Sequence, residues 1–305
     1  MTLPDVKQPL VSVIMPTYNH AKFIGKAIGS VLNQTHKNLE LIIIDNYSVD
    51  NTEEIVKSFN DQRIKYIKFM NNGVIAASRN NGLKIAKGEW ACFLDSDDWW
   101  YPKKLETVQE YTSGSDIIYH NLDIFTLHGK SFRKIKGRKL KPPVFVDLMI
   151  KGNALSSSSV SAKRDIIEKA GGFSEEKELV AVEDNDLWLK ISLITDRFIF
   201  IPKSLGVYRK GVNNITVYND TQVQRHIALY NKYTKFLKHE DMIEAEKYLS
   251  YSIGTIRRYM GQFSKSKEFF LKSLSSKDFK IKIRSIIYIL IILLYQLIYP
   301  KTHKS

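Results

Sequence analysis

From Leu10 to His120 the chain alternates nearly continuous apolar, β-branched runs with helix-like stretches, a rhythm that few folds accommodate. LVSVIM (Leu10 to Met15) and LELIIID (Leu39 to Asp45) have the pattern of strands covered on both faces. RIKYIKF (Arg63 to Phe69), WACFLD (Trp90 to Asp95) and SDIIYH (Ser115 to His120) continue the series. Between them Lys22 to Leu32, Thr52 to Phe59 behind Asp50 or Asn51 as cap, and Ala76 to Ala86 read as helices. Strand–helix–strand repetition at this spacing predicts an α/β fold, a mainly parallel sheet flanked by helices with right-handed crossovers.

Ligands of such sheets bind beyond the carboxyl ends of the strands. Three runs deliver polar residues to that rim: Pro16, Thr17, Tyr18 and Asn19; Asp45; and Asp95, Ser96, Asp97 and Asp98. Three carboxylates within four positions repel one another, and a hard divalent cation relieves the repulsion. Mg²⁺ or Mn²⁺ held by one or two carboxylates and by substrate phosphates would also neutralise a departing diphosphate. Helix capping ahead of WWYPKKLE accounts for one of the three acids. No G-x-G-x-x-G follows a strand and no G-x-x-x-x-G-K-[ST] occurs, so dinucleotide-binding and P-loop chemistry lose most of their support. Phosphate would then be held by metal and cationic side chains, with Arg79 in ASRNNG a candidate.

The charge balance is 46 Lys and Arg against 32 Asp and Glu, net +14, which suits a polyanion, an anionic membrane surface or a phosphorylated substrate. Nucleic acid fits the charge but lacks its aromatic interleaving or a reading helix, so no nucleic-acid partner is expected. KSFRKIKGRKLK (Lys130 to Lys141) concentrates seven cations, read as a solvated loop or as a contact for lipid headgroups or a polyprenyl-diphosphate acceptor. The one cysteine, Cys92, lies inside an apolar run and reads as a buried bystander; neither a disulfide within the chain nor a thiolate zinc site can be built from it. MTLPDVKQPL carries no secretory pattern, so residence on the cytosolic side is expected.

From about Thr221 the texture becomes Lys, Tyr and Leu at helical spacing, and Gln222 to His239, Asp241 to Met260 and Ser264 to Ser275 read as a helical appendage. Ile286 to Tyr299 is apolar apart from Gln296, with Lys280, Lys282 and Arg284 before it and Lys301 and Lys304 after. A spanning helix needs roughly 17–25 apolar residues. This run is shorter, which predicts an interfacial helix at a membrane surface, a buried core helix being the alternative. The expected division is residues 1–215, 216–280 and 281–305: a catalytic domain, a helical appendage and a membrane-associating segment. Homo-oligomerisation through the appendage is left open.

Four stretches, VSVIMPTYN, LIIIDNYSVDNT, ASRNNGLKIAKGEWACFLDSDDWWYP and GGFSEEKELVAVEDNDLWLKIS, resemble in order and spacing the inverting family 2 glycosyltransferases of the GT-A fold, those of bacterial surface-polysaccharide synthesis. The resemblance covers Leu10 to Arg209, about two thirds of the chain, and leaves the appendage outside. It implies a Rossmann-like GT-A domain that moves a sugar from a nucleoside diphosphate, UDP foremost, to a glycan or lipid-linked acceptor. By similarity Tyr18 stacks on the base, with Pro16, Thr17 and Asn19 lining the pocket; Asp45 meets the uracil edge; Arg79 contacts base or phosphate; Asp95 and Ser96 face the ribose and donor sugar; and Asp97 coordinates the metal. In VEDNDLW the resemblance makes Asp184 the general base, with Glu183, Gly172 and Phe173 on the acceptor side. Without the other motifs, these acids would read as the start of a helix ending near Ile194. Relatives often carry a histidine two residues after a Tyr–Arg pair, but here Gly211 follows Tyr208, Arg209 and Lys210, so the metal would rest on Asp97 and the diphosphate. The competing expectations are a sugar nucleotidyltransferase, which would want a glycine-rich phosphate loop, and a catalytically silent sugar-nucleotide-binding membrane scaffold.

Overall fold

The computed structural model describes residues 9–127, 129–211 and 218–298; Tyr299, Lys301, Lys304 and the first eight residues of the amino-terminal segment lie outside the described residues. The repeating half is β1 (Val11–Thr17), α1 (Ala21–Leu32), β2 (Leu39–Asp45), α2 (Thr52–Ser58), β3 (Ile64–Lys68), α3 (Ile75–Ile85) and β4 (Trp90–Phe93). There follow β5 (Trp99–Trp100), α4 (Lys104–Gln109), β6 (Ile117–Thr126), β7 (Gly129–Ile135), α5 (Val144–Lys151), β8 (Ser161–Lys163), α6 (Arg164–Lys169), α7 (Glu183–Ser192) and β9 (Phe198–Arg209). The remaining helices are α8 (Asp220–Tyr233), α9 (His239–Tyr259), α10 (Phe263–Ser273) and α11 (Phe279–Ile298).

The sheet runs β3-β2-β1-β4-β8-β6-β9-β5, with β7 paired to β6. β3, β2, β1 and β4 are mutually parallel, as the uninterrupted apolar runs predict. β8 enters antiparallel beside β4 and makes the sheet mixed. Every residue of β1 and β2 is buried. α1 covers them with Ile24, Ala27, Ile28 and Val31, one stripe at helical period. On α3, a β-carbon added at Gly82 would come within 2.7 Å of Ile14 Cγ2, so only glycine lets this helix lie so close to the sheet.

Two compact units divide the chain: Met1–Val144 with Ala154–Asn214, and Phe145–Asn153 with Ile215–Ser305. The second takes in most of α5, a piece of the stretch that the sequence reading kept in the catalytic domain. Its Phe145 ring lies 6.1 Å from Tyr233 and from Phe236, contacts that join residues far apart in the chain. Val223, Ile253 and Ile256 form a small core of this unit. In the first unit the front of the basic run is a strand and not a loop: β7 extends the sheet, and Lys130 and Lys134 pair with Asp123.

α11 is 20 residues long and its apolar window has a mean hydropathy of 2.0. The basic residues Lys280, Lys282 and Arg284 belong to the same helix. Length alone therefore does not exclude a membrane span, contrary to the shorter run inferred from hydropathy.

Candidate active site

The ends of β1, β2 and β4 converge, and backbone geometry ties their loops together. Asn19 sits at φ 51°, a left-handed conformation that asparagine tolerates. Its N–H donates to Ser48 Oγ at 2.8 Å and its Oδ1 accepts from Val49 N–H at 2.8 Å, joining the loops after β1 and β2. Tyr18 is 53% exposed beside this junction. Pro16 and Thr17 are the last residues of β1, and both are buried in the sheet. Asp45 is fully buried, where it accepts from Ser48 N–H at 3.1 Å, Ser48 Oγ at 2.5 Å and the Tyr66 hydroxyl at 2.5 Å. Burial and Asp45 push the Tyr66 phenol far above its ordinary value, so it stays a proton donor. Asp45 thus shapes the Ser48 turn.

Arg79, on α3, is the centre of the site. Its Nη1 donates to Glu183 Oε1 at 2.7 Å and its Nη2 to Asp95 Oδ1 at 2.9 Å. The arginine side chain is 3% exposed, Glu183 is 7% and Asp95 is 34%. Burial would lower the arginine pKa, but the charges of Asp95, Glu183 and Asp184 hold it above its usual value. Its guanidinium also stands 5.4 Å over the Phe173 ring. The sequence reading gave Arg79 a base or phosphate contact; here both terminal nitrogens are committed to carboxylates.

The three acids after β4 divide their tasks. Asp98 is buried and accepts from Arg209 N–H at 2.8 Å, fastening the loop to β9. Burial, Asp95 and Asp97 raise its pKa well above normal. Asp97 is half-buried, and burial followed by the charge of Asp95 raises its pKa too. A nearby cation would relieve both strains. Among the described residues no group of three His, Cys, Asp or Glu forms a ready-made metal site. The donor set therefore fits a hard cation held by one carboxylate, Asp97, and completed by substrate phosphates, the way Mg²⁺ usually binds.

Glu183 and Asp184 open α7, where the helix dipole favours acids. Asp184 is half-buried, and burial with the adjacent Glu183 pushes it up to about 7. Ser157 Oγ donates to its Oδ2 at 3.2 Å, and the Asn185 N–H to Oδ1 at 2.6 Å. Neighbouring Ser158 accepts from Asp95 N–H at 3.2 Å, so one serine turn holds both the acid loop after β4 and Asp184. This run is a short 3₁₀ turn, Ser157–Ser159, just before β8. Gly172 adopts φ +70°, and Phe173 is buried, edge-on to Phe93 at 5.1 Å. Phe173 therefore forms the floor beneath Arg79, and Gly172 packs against Asn80.

The sequence reading missed His20. Its Nδ1 lies 2.7 Å from Ser96 Oγ, and its charge pulls the Asp97 pKa back down. The signal was its position, one residue beyond Asn19 on the same rim.

A family model described as glycosyl transferase family 2 matches residues 12–157. An uncharacterized glycosyltransferase of Methanocaldococcus jannaschii is 31% identical over 212 residues, which cover 67% of this chain and 72% of that protein. This chain belongs to glycosyl transferase family 2. An uncharacterized glycosyltransferase of Nostoc is 34% identical over 168 residues, 52% of each chain, so the chain spans about half the length of some curated relatives that it matches. Among solved structures, the Staphylococcus aureus TarS complex with UDP-GlcNAc superposes with a TM-score of 0.61 at 18% identity, covering 96% of this chain and 93% of that one. The mannosyltransferase PcManGT of Pyrobaculum calidifontis, in complex with GDP-Man and Mn²⁺, gives 0.63 at 16% identity, covering 98% and 89%. At these identities the likeness is one of fold, and the GT-A fold expected from the motifs is the fold observed.

Proposed function

We propose that the chain is an inverting glycosyltransferase of cell-surface polysaccharide synthesis, working at the cytosolic face of a membrane. The donor is a nucleoside diphosphate sugar, UDP being the expected nucleotide, and the acceptor a hydroxyl of a glycan or a polyprenyl-diphosphate-linked sugar. The observation that carries the reading is Asp184: it is pushed up to about 7 and joined, through neighbouring Glu183 and Arg79, to the acid loop after β4. A carboxylate with a pKa near neutrality is matched to taking a proton in water at pH 7.

In this reading Asp184 removes the acceptor's hydroxyl proton as its oxygen bonds to the anomeric carbon. The bond from that carbon to the diphosphate breaks on the opposite face, so configuration inverts. Tyr18 stacks on the base, while the turn held by Asp45 shapes the pocket edge. A divalent cation on Asp97, Mn²⁺ or Mg²⁺, would neutralise the leaving diphosphate. Arg79 keeps Asp95 and Glu183 in place, and α11 attaches the protein to the lipid surface.

Thermal unfolding with UDP, GDP, CMP and dTDP, each with and without Mn²⁺, tests the donor reading. A ligand that binds only the folded state raises the melting temperature. The expected result is stabilisation by UDP that requires Mn²⁺ and is lost in Asp97→Asn. No shift with any nucleotide, in a folded sample, would overturn it.

A further inference from the structure

α11 carries two opposite faces. One is a seam: Ile281, Ser285, Tyr288, Ile292 and Tyr295 recur at alternating intervals of four and three residues. Ile281, Ser285 and Ile292 are buried. Ser285 Oγ lies 2.7 Å from Ser273 Oγ of α10. The Tyr288 ring packs 5.2 Å from Phe270, stacks at 6.5 Å on Tyr251, and has the Arg258 guanidinium 4.6 Å away. Tyr295 lies 4.8 Å from Phe263. The seam thus holds α11 against α9 and α10 nearly from end to end.

The other face is aliphatic. At about 100° per residue, the exposed positions between Leu293 and Ile291 sweep an arc of about 160° centred opposite the seam. Leu290 is 54% exposed, Leu294 58% and Leu297 78%, and Ile283 continues the stripe towards the amino-terminal end. The arc is apolar from Ile286 onwards, and its polar border lies at the amino-terminal end of the helix. Basic Lys280, Lys282 and Arg284 crowd the first turns, and α11 contains no acid, a charge pattern suited to anionic headgroups.

A 20-residue helix is about 30 Å long, the thickness of a bilayer core, so length does not say whether α11 spans or lies flat. Docking does. A helix whose whole seam rests on α9 and α10 cannot cross a bilayer without leaving them. Resting on the membrane attachment proposed above, we propose that α11 lies in the plane of an anionic membrane surface while docked, its aliphatic arc sunk among the acyl chains and its seam on the protein. The second unit then rides on the lipid as a monotopic platform.

The Ser273–Ser285 contact supplies the test. The full-length double variant Ser273→Cys, Ser285→Cys, oxidised to a disulfide, locks α11 in its docked position; native Cys92 is buried and does not compete. The expected result is equal sedimentation of oxidised and reduced forms with vesicles of phosphatidylcholine and phosphatidylglycerol. Spin labels placed through Leu290→Cys and Leu297→Cys, each in an otherwise unchanged chain, should both report a shallow depth of about 5–10 Å. Binding lost on oxidation and restored by reductant, or label depth running on towards the far leaflet, would overturn the in-plane arrangement and leave membrane attachment standing. Wild-type protein that stays in the supernatant would overturn both. If it were then a dimer that Leu294→Glu separates, the arc would be covered by a second copy of the chain.

Discussion

Replacing Arg79 by methionine should cost the protein about 3–5 kcal/mol of stability, the range for breaking a buried ion pair by removing one partner. The guanidinium bonds at 2.7 Å to Glu183 and 2.9 Å to Asp95, and at an effective dielectric constant near 20 each contact carries a gross attraction of about 6 kcal/mol. Most of this offsets the desolvation of the three groups, so the gross figure is never the net loss. What remains after Arg79→Met is Glu183 with its charge buried and uncompensated, while Asp95 can still reach water. The companion variant Arg79→Met, Glu183→Gln removes that stranded charge and should recover about 1–3 kcal/mol, the cost of leaving a buried polar group without its partner. Arg79→Lys should fall between, because an ammonium cannot bridge two carboxylates as a planar fork does. Urea unfolding at pH 7 reads all four proteins, with equal m-values confirming that midpoints report stability. The reasoning is refuted if Arg79→Met loses less than about 1 kcal/mol, which would place it among exposed pairs, or if adding Glu183→Gln deepens the loss. A nucleotide-binding defect without a stability defect would return Arg79 to donor contact.

Other consequences are as direct. Asp184→Asn should retain nucleotide binding and lose about 10²–10⁴-fold in transfer rate, as measured by release of the nucleoside diphosphate; equal activity would remove Asp184 from the base role. Because the Asp184 pKa is raised from 3.8 to about 7 in the fold, the wild type should become progressively less stable than Asp184→Asn as pH rises from about 4 to about 7, with a constant gap above. In the wild type, kcat/KM should fall with a one-proton slope below about pH 7, and a flat profile down to pH 5 would contradict the assignment. Gly172→Ala should destabilise by more than about 1 kcal/mol, since its φ is +70° and the new β-carbon would meet Asn80 Oδ1 at 2.8 Å. An unchanged urea midpoint would mean that the Asn80 loop yields freely.

The parallel core and the rim could be read from the sequence because their causes are local. A strand covered on both faces must be apolar throughout, so β1, β2 and β4 announce themselves, and the residues that end those runs must lie at the sheet's carboxyl edge. The helices of the appendage were legible for the same reason, since amphipathic period is written into neighbouring residues. Tertiary structure alone decided which polar groups meet. Arg79 and Glu183 are 104 residues apart, and nothing in ASRNNG says that its cation will be spent on carboxylates. That Asp45 also accepts from Tyr66 and Ser48 was likewise not written in the run it ends. α5 sits in the midst of the catalytic sequence yet packs its Phe145 with Tyr233, a choice made by long-range apolar contact. In α11 apolar side chains occur on both faces, with Ile281 and Ile292 on the seam and Leu290, Leu294 and Leu297 opposite, so apolarity alone could not tell the face on α10 from the face left bare. That difference arises only when Ser285 and Tyr288 find partners on other helices, because burial is a property of the assembled chain and not of the residue.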